Sequence, residues 1–212
     1  MSIKIQADRK LLISIVVIWL FNISGIIGIL IGYEAWFIPL TPLNLLIYLG
    51  LILWNATRFN TLILALVIPF AIGMFTEYLG VNYGLIFGTY QYGENLGYKI
   101  EGVPLMIGVN WATLVYCTAA IAKRIHHNLA ISSLIGATLM VLSDLIIEVS
   151  APRFDFWEFS NGIVPLQNYI GWFGTAFIAH LLFQKVCKTL DFTLSIHIYM
   201  AICVFFSTFL FF

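Results

Sequence analysis

Three acidic residues stand where acids are costly. Glu77, Asp144 and Glu148 fall near the ends of long apolar stretches in a chain that is 61% hydrophobic and only 9% charged. Ionisable groups at membrane depth face the interior of a bundle and mark a site. Asp144 and Glu148 are four residues apart and so lie on one face of a helix, where their carboxyl groups can enter a common pocket. Glu77 follows Pro69 and Gly73, positions that let a helix bend. The plain alternative is that all three are interfacial acids marking helix ends. Aromatic residues gather in the same parts of the sequence: Tyr78, Tyr83, Phe87, Tyr90, Tyr92, Phe154, Phe156, Trp157 and Phe159, with Trp111 and Trp172 at the starts of later apolar stretches. Aromatic faces steady a cation through the ring quadrupole, although an interfacial aromatic belt has the same composition. Three amides, Asn110, Gln167 and Asn168, are placed to hydrogen-bond a carboxyl group or hold a water, or else to tie helices together.

The elements that must position these residues follow from hydropathy. Mean hydropathy is +0.99 over 212 residues, so the solvent is a bilayer. A helix needs about 20 apolar residues to cross the hydrocarbon core. Seven stretches qualify: 11 to 32, 36 to 54, 61 to 79, 103 to 122, 129 to 147, 165 to 183 and 194 to 212. Six is the competing count, because Pro39 and Pro42 can mark an interfacial entry before the second span. The expectation is an all-α, polytopic integral membrane bundle forming one domain over 1–212, in the bacterial inner (plasma) membrane. With the N-terminus cytoplasmic, Lys4, Arg9, Lys10, Arg58, Lys123, Arg124, Lys185 and Lys188 lie inside, leaving Lys99 and Arg153 outside. Glu34, Glu77, Glu94, Glu101, Asp144, Glu148, Asp155 and Glu158 then fall on the outer half, an asymmetry that topology alone does not demand. Two long aromatic outer loops, 80 to 102 and 150 to 164, are expected to cap the bundle.

Several classes drop out. Zero net charge leaves no electrostatic case for nucleic acid. Cys117, Cys187 and Cys203 lack the spacing of a disulfide framework or zinc site and read as apolar packing residues. The apolar run after Lys10 is too long for a cleaved signal peptide. His126 and His127 belong to a basic turn, and His180 and His197 are single residues on apolar helices. No dinucleotide fingerprint or metal constellation is present, so neither a cofactor nor a metal is expected. The last stretch has no lysine for a retinal Schiff base, which argues against a rhodopsin.

Residues 76 to 111 resemble the membrane carotenoid hydratases, the family of carotenoid 1,2-hydratases and bisanhydrobacterioruberin hydratases. The family pattern runs from E-x-L-G (Glu77 to Gly80) through F-G-x-Y-x-Y (Phe87 to Tyr92), L-G (Leu96, Gly97) and G-V-P (Gly102 to Pro104) to a tryptophan, Trp111. A second block runs from Asp144 through Glu148, Pro152, Phe156-Trp157 and Gly162 to Pro165–Trp172. Family members place an acid directly before the proline, whereas Val-Ser-Ala separates Glu148 from Pro152, a departure that bears on the role of Glu148. The resemblance covers roughly residues 60 to 185. It implies addition of water across the terminal 1,2 double bond of an acyclic carotenoid end, giving a tertiary alcohol. Such addition starts with protonation of the alkene by a carboxyl group that desolvation keeps protonated. The cation needs aromatic faces and a carboxylate, and a further polar group must hold and deprotonate the water. Implied catalytic residues are Glu77, Asp144 and Glu148, with acid and base unassigned. Implied substrate-binding residues are Tyr78, Phe87, Tyr90, Tyr92, Asn110, Trp111, Phe156, Trp157, Asn168 and Trp172. Implied partners are a lipophilic carotenoid, membrane lipid and other carotenoid enzymes. Competing readings are a cyclase or isomerase using the same cation, and a proton-coupled transporter or binding protein.

Overall fold

The computed structural model describes residues 2–210, with residues 2–7 described by backbone alone. Helix α1 (Ser2–Leu30) is followed by a broken helical path. It consists of α2 (Glu34–Phe37), a 3-10 turn (Ile38–Leu40) and α3 (Thr41–Trp54). Pro39 and Pro42 each fall in a first turn, where the missing N–H loses no helical hydrogen bond, so they mark restarts rather than kinks. Then come α4 (Phe59–Tyr83), α5 (Leu105–Ile125), α6 (Leu129–Ser150), α7 (Leu166–Val186) and α8 (Phe192–Thr208). Asn128 caps α6 by accepting from Ala130 and Ile131 N–H at 2.9 and 3.2 Å. Asp191 caps α8 through Leu194 N–H at 2.9 Å.

The hub is α5, which packs against α3, α4, α6, α7 and α8. Its small residues, among them Gly108, Ala112, Ala119, Ala120 and Ala122, let neighbouring backbones approach, and it is buried almost throughout. The outer helices turn apolar side chains outward, including Leu12, Leu20, Ile27, Leu43, Leu46 and Leu64, a surface suited to hydrocarbon and not to water. Among the described residues five segments are long and apolar enough to cross a membrane: Asp8–Leu30, Glu34–Trp54, Phe59–Tyr83, Leu105–Ile125 and Leu129–Ser150. The stretch expected at 165 to 183 forms most of α7, a helix that carries Gln167, Asn168, His180 and Gln184 and is not one of the five. The last expected stretch, 194 to 212, forms the shorter apolar α8; its final two residues lie outside the described residues.

The all-α expectation holds for the bundle and misses four short strands in the loops. β1 (Tyr90–Tyr92) pairs antiparallel with β4 (Trp157–Phe159), and β2 (Lys99–Ile100) with β3 (Val103–Pro104). The two long loops therefore hold each other across one end of the bundle, hereafter the capped end. Period-two alternation explains the β1–β4 ribbon: Tyr90, Tyr92 and Phe159 are buried while Gln91 and Glu158 are exposed. Such alternation over only three residues carries no signal beside helical stretches of 20. Lys99 pairs with Glu94 at 2.7 Å and Arg153 with Glu34 at 2.7 Å, so the two basic residues expected at this end meet acids there. As exposed pairs they add little to stability.

Candidate active site

The ribbon aims its buried face at Glu77. Tyr90 and Tyr92, two residues apart on one strand, point the same way, and both hydroxyls donate to Glu77 Oε2, the Tyr92 bond being 2.7 Å. Trp111, in the second turn of α5, donates its indole N–H to Glu77 Oε1 at 3.0 Å. Three donors thus converge on a carboxyl group that is 2% exposed, the set that an acceptor-only carboxylate requires. Burial, and then the neighbouring Glu77 carboxyl, push the Tyr90 and Tyr92 hydroxyls far above the ordinary tyrosine range. Both remain donors.

Glycines make the approach feasible. Gly80 lies one turn beyond Glu77, and a Cβ there would come within 2.6 Å of the Tyr90 hydroxyl. Gly73, one turn before Glu77, is overlain by the Trp111 ring, which a Cβ would strike. The G of the E-x-L-G element is therefore a space for a tyrosine, not a hinge.

One amide serves the other two acids. Asn168, in the first turn of α7, donates from Nδ2 to Asp144 Oδ2 at 3.1 Å and to Glu148 Oε1 at 3.0 Å. Trp157 N–H donates to Glu148 Oε2 at 2.9 Å. Asp144 Oδ1 is buried with no hydrogen-bond partner. Trp157 opposes Tyr92 in the ribbon, their rings 6.1 Å apart and edge-on, so one cross-strand pair ties Glu148 to Glu77. Trp111 and Trp172 stack with centroids 4.4 Å apart, and Phe87 lies 6.5 and 6.3 Å from them. Ile86, just before Phe87, has φ 68°, a strained value for a β-branched residue.

Glu77, Glu148, Asn110 and Asn168 with Phe87, Tyr90, Tyr92, Trp111, Trp157, Phe159, Trp172 and Ile107 enclose a cavity of about 20 Å³, room for about one water molecule. A second, apolar cavity of about 450 Å³ lies between α1, α3, α5 and α8. Ile107, Asn110 and Trp157 wall both. Exposed Leu20, Phe21 and Leu43 line the larger cavity, so it reaches the side of the bundle.

Most of the residues singled out from sequence meet here, and some do not. Tyr78 is a correction: next to Glu77 on α4, it points about 100° away around the helix and pairs its hydroxyl with Tyr83 at 3.3 Å in an exposed position. Phe156 stacks on Trp157 and lines the large cavity only. Gln167 reaches Gly84 O at 3.4 Å on the surface. Asp144 touches the small cavity's wall through Asn168. Phe159 and Ile107 wall the cavity without having been assigned a role; the spacing of Phe159 two residues after Trp157 was the available signal.

The model of the carotenoid biosynthesis protein family matches residues 25–212. Over 117 residues the chain is 32% identical to the bisanhydrobacterioruberin hydratase of Haloarcula japonica, a match covering 51% of this chain and 40% of that protein. The matched region is thus well under two thirds of that relative's length. No solved structure matches the chain. The family match takes in all three buried acids and both halves of the ribbon, and on it this chain belongs to the carotenoid biosynthesis protein family.

Proposed function

We propose that the protein is a carotenoid 1,2-hydratase, a hydro-lyase acting on the acyclic end of lycopene, γ-carotene or a related polyene. One observation carries this reading: a water-sized cavity bounded by carboxyl groups shares three walls with a long apolar cavity open to the side of the bundle. A polyene enters from lipid and presents only its tip to the acids. Asp144 and Glu148 share one amide in a buried site, where like charges on neighbouring carboxyls repel, and together they hold the proton that is delivered. The alkene π pair takes that proton at the CH carbon, leaving a tertiary cation facing Trp111, Trp172 and Phe87. Water held by Asn110 and Asn168 forms the C–O bond and gives its proton to Glu77 Oε1, which has a lone pair to spare beyond the Trp111 bond. Return of that proton to the pair through the next water closes the cycle, with one water added.

The test is the pigment profile of a lycopene-making host with and without this chain. A product heavier by one water supports hydration. A product of unchanged mass indicates cyclisation or isomerisation, and unchanged pigment indicates transport or binding; either overturns the proposal.

We further propose seven spans, the shorter α8 and the polar α7 included, in a bacterial inner membrane with the N-terminus cytoplasmic and the ribbon outside, on the strength of the lysine and arginine bias. Terminal reporter fusions check this: activity of an N-terminal periplasmic reporter contradicts it. Association with other carotenoid enzymes is part of the same reading, and co-purification from the pigmented host tests it.

A further inference from the structure

The end of the bundle opposite the ribbon holds a cleft of about 480 Å³, where the loop from α3 to α4 meets the loop from α7 to α8. Ligand sites commonly span about 300–1,000 Å³. Arg58 and Lys188 line this cleft. Among the described residues Arg58 makes no ion pair, and Lys188 donates once, to Gln184 O at 2.9 Å, which leaves two ammonium protons. Two more cations adjoin it from α5: Lys123 donates to Cys187 O at 3.0 Å, and the Arg124 guanidinium lies over the Phe192 ring, 6.0 Å from its centroid. Helix α4 starts at the edge of the cleft with no side-chain cap and no acid in its first turn, so its first N–H groups lack a side-chain acceptor.

The wall of the cleft adds an independent observation. Tyr116 of α5 lines it and is 3% exposed. Its hydroxyl oxygen accepts from Asp191 N–H at 3.1 Å, and among the described residues its own proton has no acceptor. A buried donor left unmet is destabilising, and the space that Tyr116 borders is this cleft. The acid on the wall is Asp191. Its Oδ1 accepts from Leu194 N–H at 2.9 Å as the cap of α8, and neither Arg58 nor Lys188 lies within ion-pair distance of it. Retention of lysine and arginine on one side of a bilayer spreads cations over that face; it accounts neither for two of them on one cleft nor for a spare phenol proton beside them.

Two cations, an uncapped helix start and a spare hydroxyl proton are all donors, and what completes them is an anion with several acceptor oxygens. Phosphate has that form, and basic pockets between spanning helices hold anionic headgroups. Phe192, 39% exposed on the rim, offers its ring to an acyl chain, which favours a lipid as the source. We infer that the cleft is a binding site for a net-anionic phosphate group, held by Arg58, Lys188 and the Tyr116 hydroxyl. The bound group ties the two loops together at the end of the bundle away from the acids.

The test is thermal unfolding of the delipidated full chain in uncharged detergent at constant ionic strength. The probes are inorganic phosphate, short-chain phosphatidylglycerol and phosphatidylcholine of equal chain length. Phosphatidylglycerol should raise the unfolding temperature saturably and bind about tenfold more tightly than phosphatidylcholine. Arg58→Gln, Lys188→Gln and Tyr116→Phe should each weaken that binding about tenfold, the effect of one hydrogen bond to a charged group. Lys185→Gln, which removes an exposed cation at the same end but outside the cleft, should leave it unchanged. Tighter binding of phosphatidylglycerol than of inorganic phosphate upholds the site with a lipid headgroup in it; inorganic phosphate binding at least as tightly upholds it with free phosphate. Saturable binding of neither anion, or phosphatidylcholine binding as tightly as the better anion, overturns the site, and both outcomes are read on the wild-type protein. A Tyr116→Phe variant that binds like wild type, or a loss from Lys185→Gln as large as that from Arg58→Gln, also overturns it, leaving only diffuse attraction to a basic face.

Discussion

Helices α5, α6 and α7 bury polar side chains twice, once at the capped end and once towards the other end, and the two clusters are built to opposite ends. In the second, His180 Nδ1 lies 2.7 Å from Ala176 O and Nε2 2.9 Å from the Thr118 hydroxyl; in the tautomer with Nδ1–H donating to Ala176, the one Thr118 proton is shared between Nε2 and Leu114 O, 2.6 Å away. Gln184 accepts from Ser132 at 2.8 Å and donates to Ser133 at 3.3 Å. Gly136 lies flat against the His180 ring. Every group is neutral and partnered, and none of these side chains lines a cavity described above. At the capped end the groups are acids, one carboxyl oxygen is left over, and the space between them admits a water. Polarity inside a bundle does not by itself mark a site; charge, an unspent lone pair and vacant volume together do.

The largest expected effect separates the two clusters outright. Glu77→Gln and Asp144→Asn should each lower hydration by on the order of a thousandfold, because each removes a proton-transfer group, while leaving thermal unfolding in detergent close to that of wild type. Replacing a buried acid by its amide lifts the cost of burying charge, so no collapse is due. Product quantification by mass, beside an unfolding curve for each variant, decides the matter. If both variants keep full yield, the capped cluster is as structural as its counterpart and the comparison fails.

A smaller effect is expected from the lid. Tyr92→Phe removes one of three donors from Glu77 and should cost about tenfold in turnover, the scale of one hydrogen bond to a charged group. Burial and the neighbouring carboxyl hold the Tyr92 hydroxyl well above the usual tyrosine range, so it stays protonated as pH rises through that range. The wild-type rate profile should therefore show no alkaline limb from this residue, and the Phe variant should lower the profile without changing its alkaline shape.

How much of this was legible in the sequence differs between its parts. Hydropathy located the helical segments, because twenty apolar residues are a strong and local signal. The acids stood out by cost, and the four-residue spacing of Asp144 and Glu148 put them on one face. The lid was legible only as composition. Tyr90 and Tyr92 meet Trp157 and Phe159 across 65 or more residues of chain, and a three-residue strand has too little periodicity to announce a partner. Tyr78 was misjudged for a related reason: adjacency to Glu77 in sequence means a turn of about 100° around the helix. Asn22 and Tyr48, joined between α1 and α3 at 2.5 Å, lay in spans recognisable only as hydrophobic, and no sequence spacing links residues on two different helices.

The smallest effect sharpens the comparison from its structural side. Thr118→Val keeps the shape of the side chain and removes the hydroxyl, leaving His180 Nε2 buried at 0% exposure without its donor. An unsatisfied buried acceptor costs about 1–3 kcal/mol, so the unfolding temperature should fall. Hydration by the folded fraction should stay within about twofold of wild type, because no atom of this cluster borders either cavity that the substrate would occupy. The two readouts must move apart: stability drops, turnover per folded molecule holds. Should turnover fall with the Thr118 hydroxyl while stability stays put, the second cluster takes part in the chemistry, and the division between a closed polar joint and an open polar site is drawn in the wrong place.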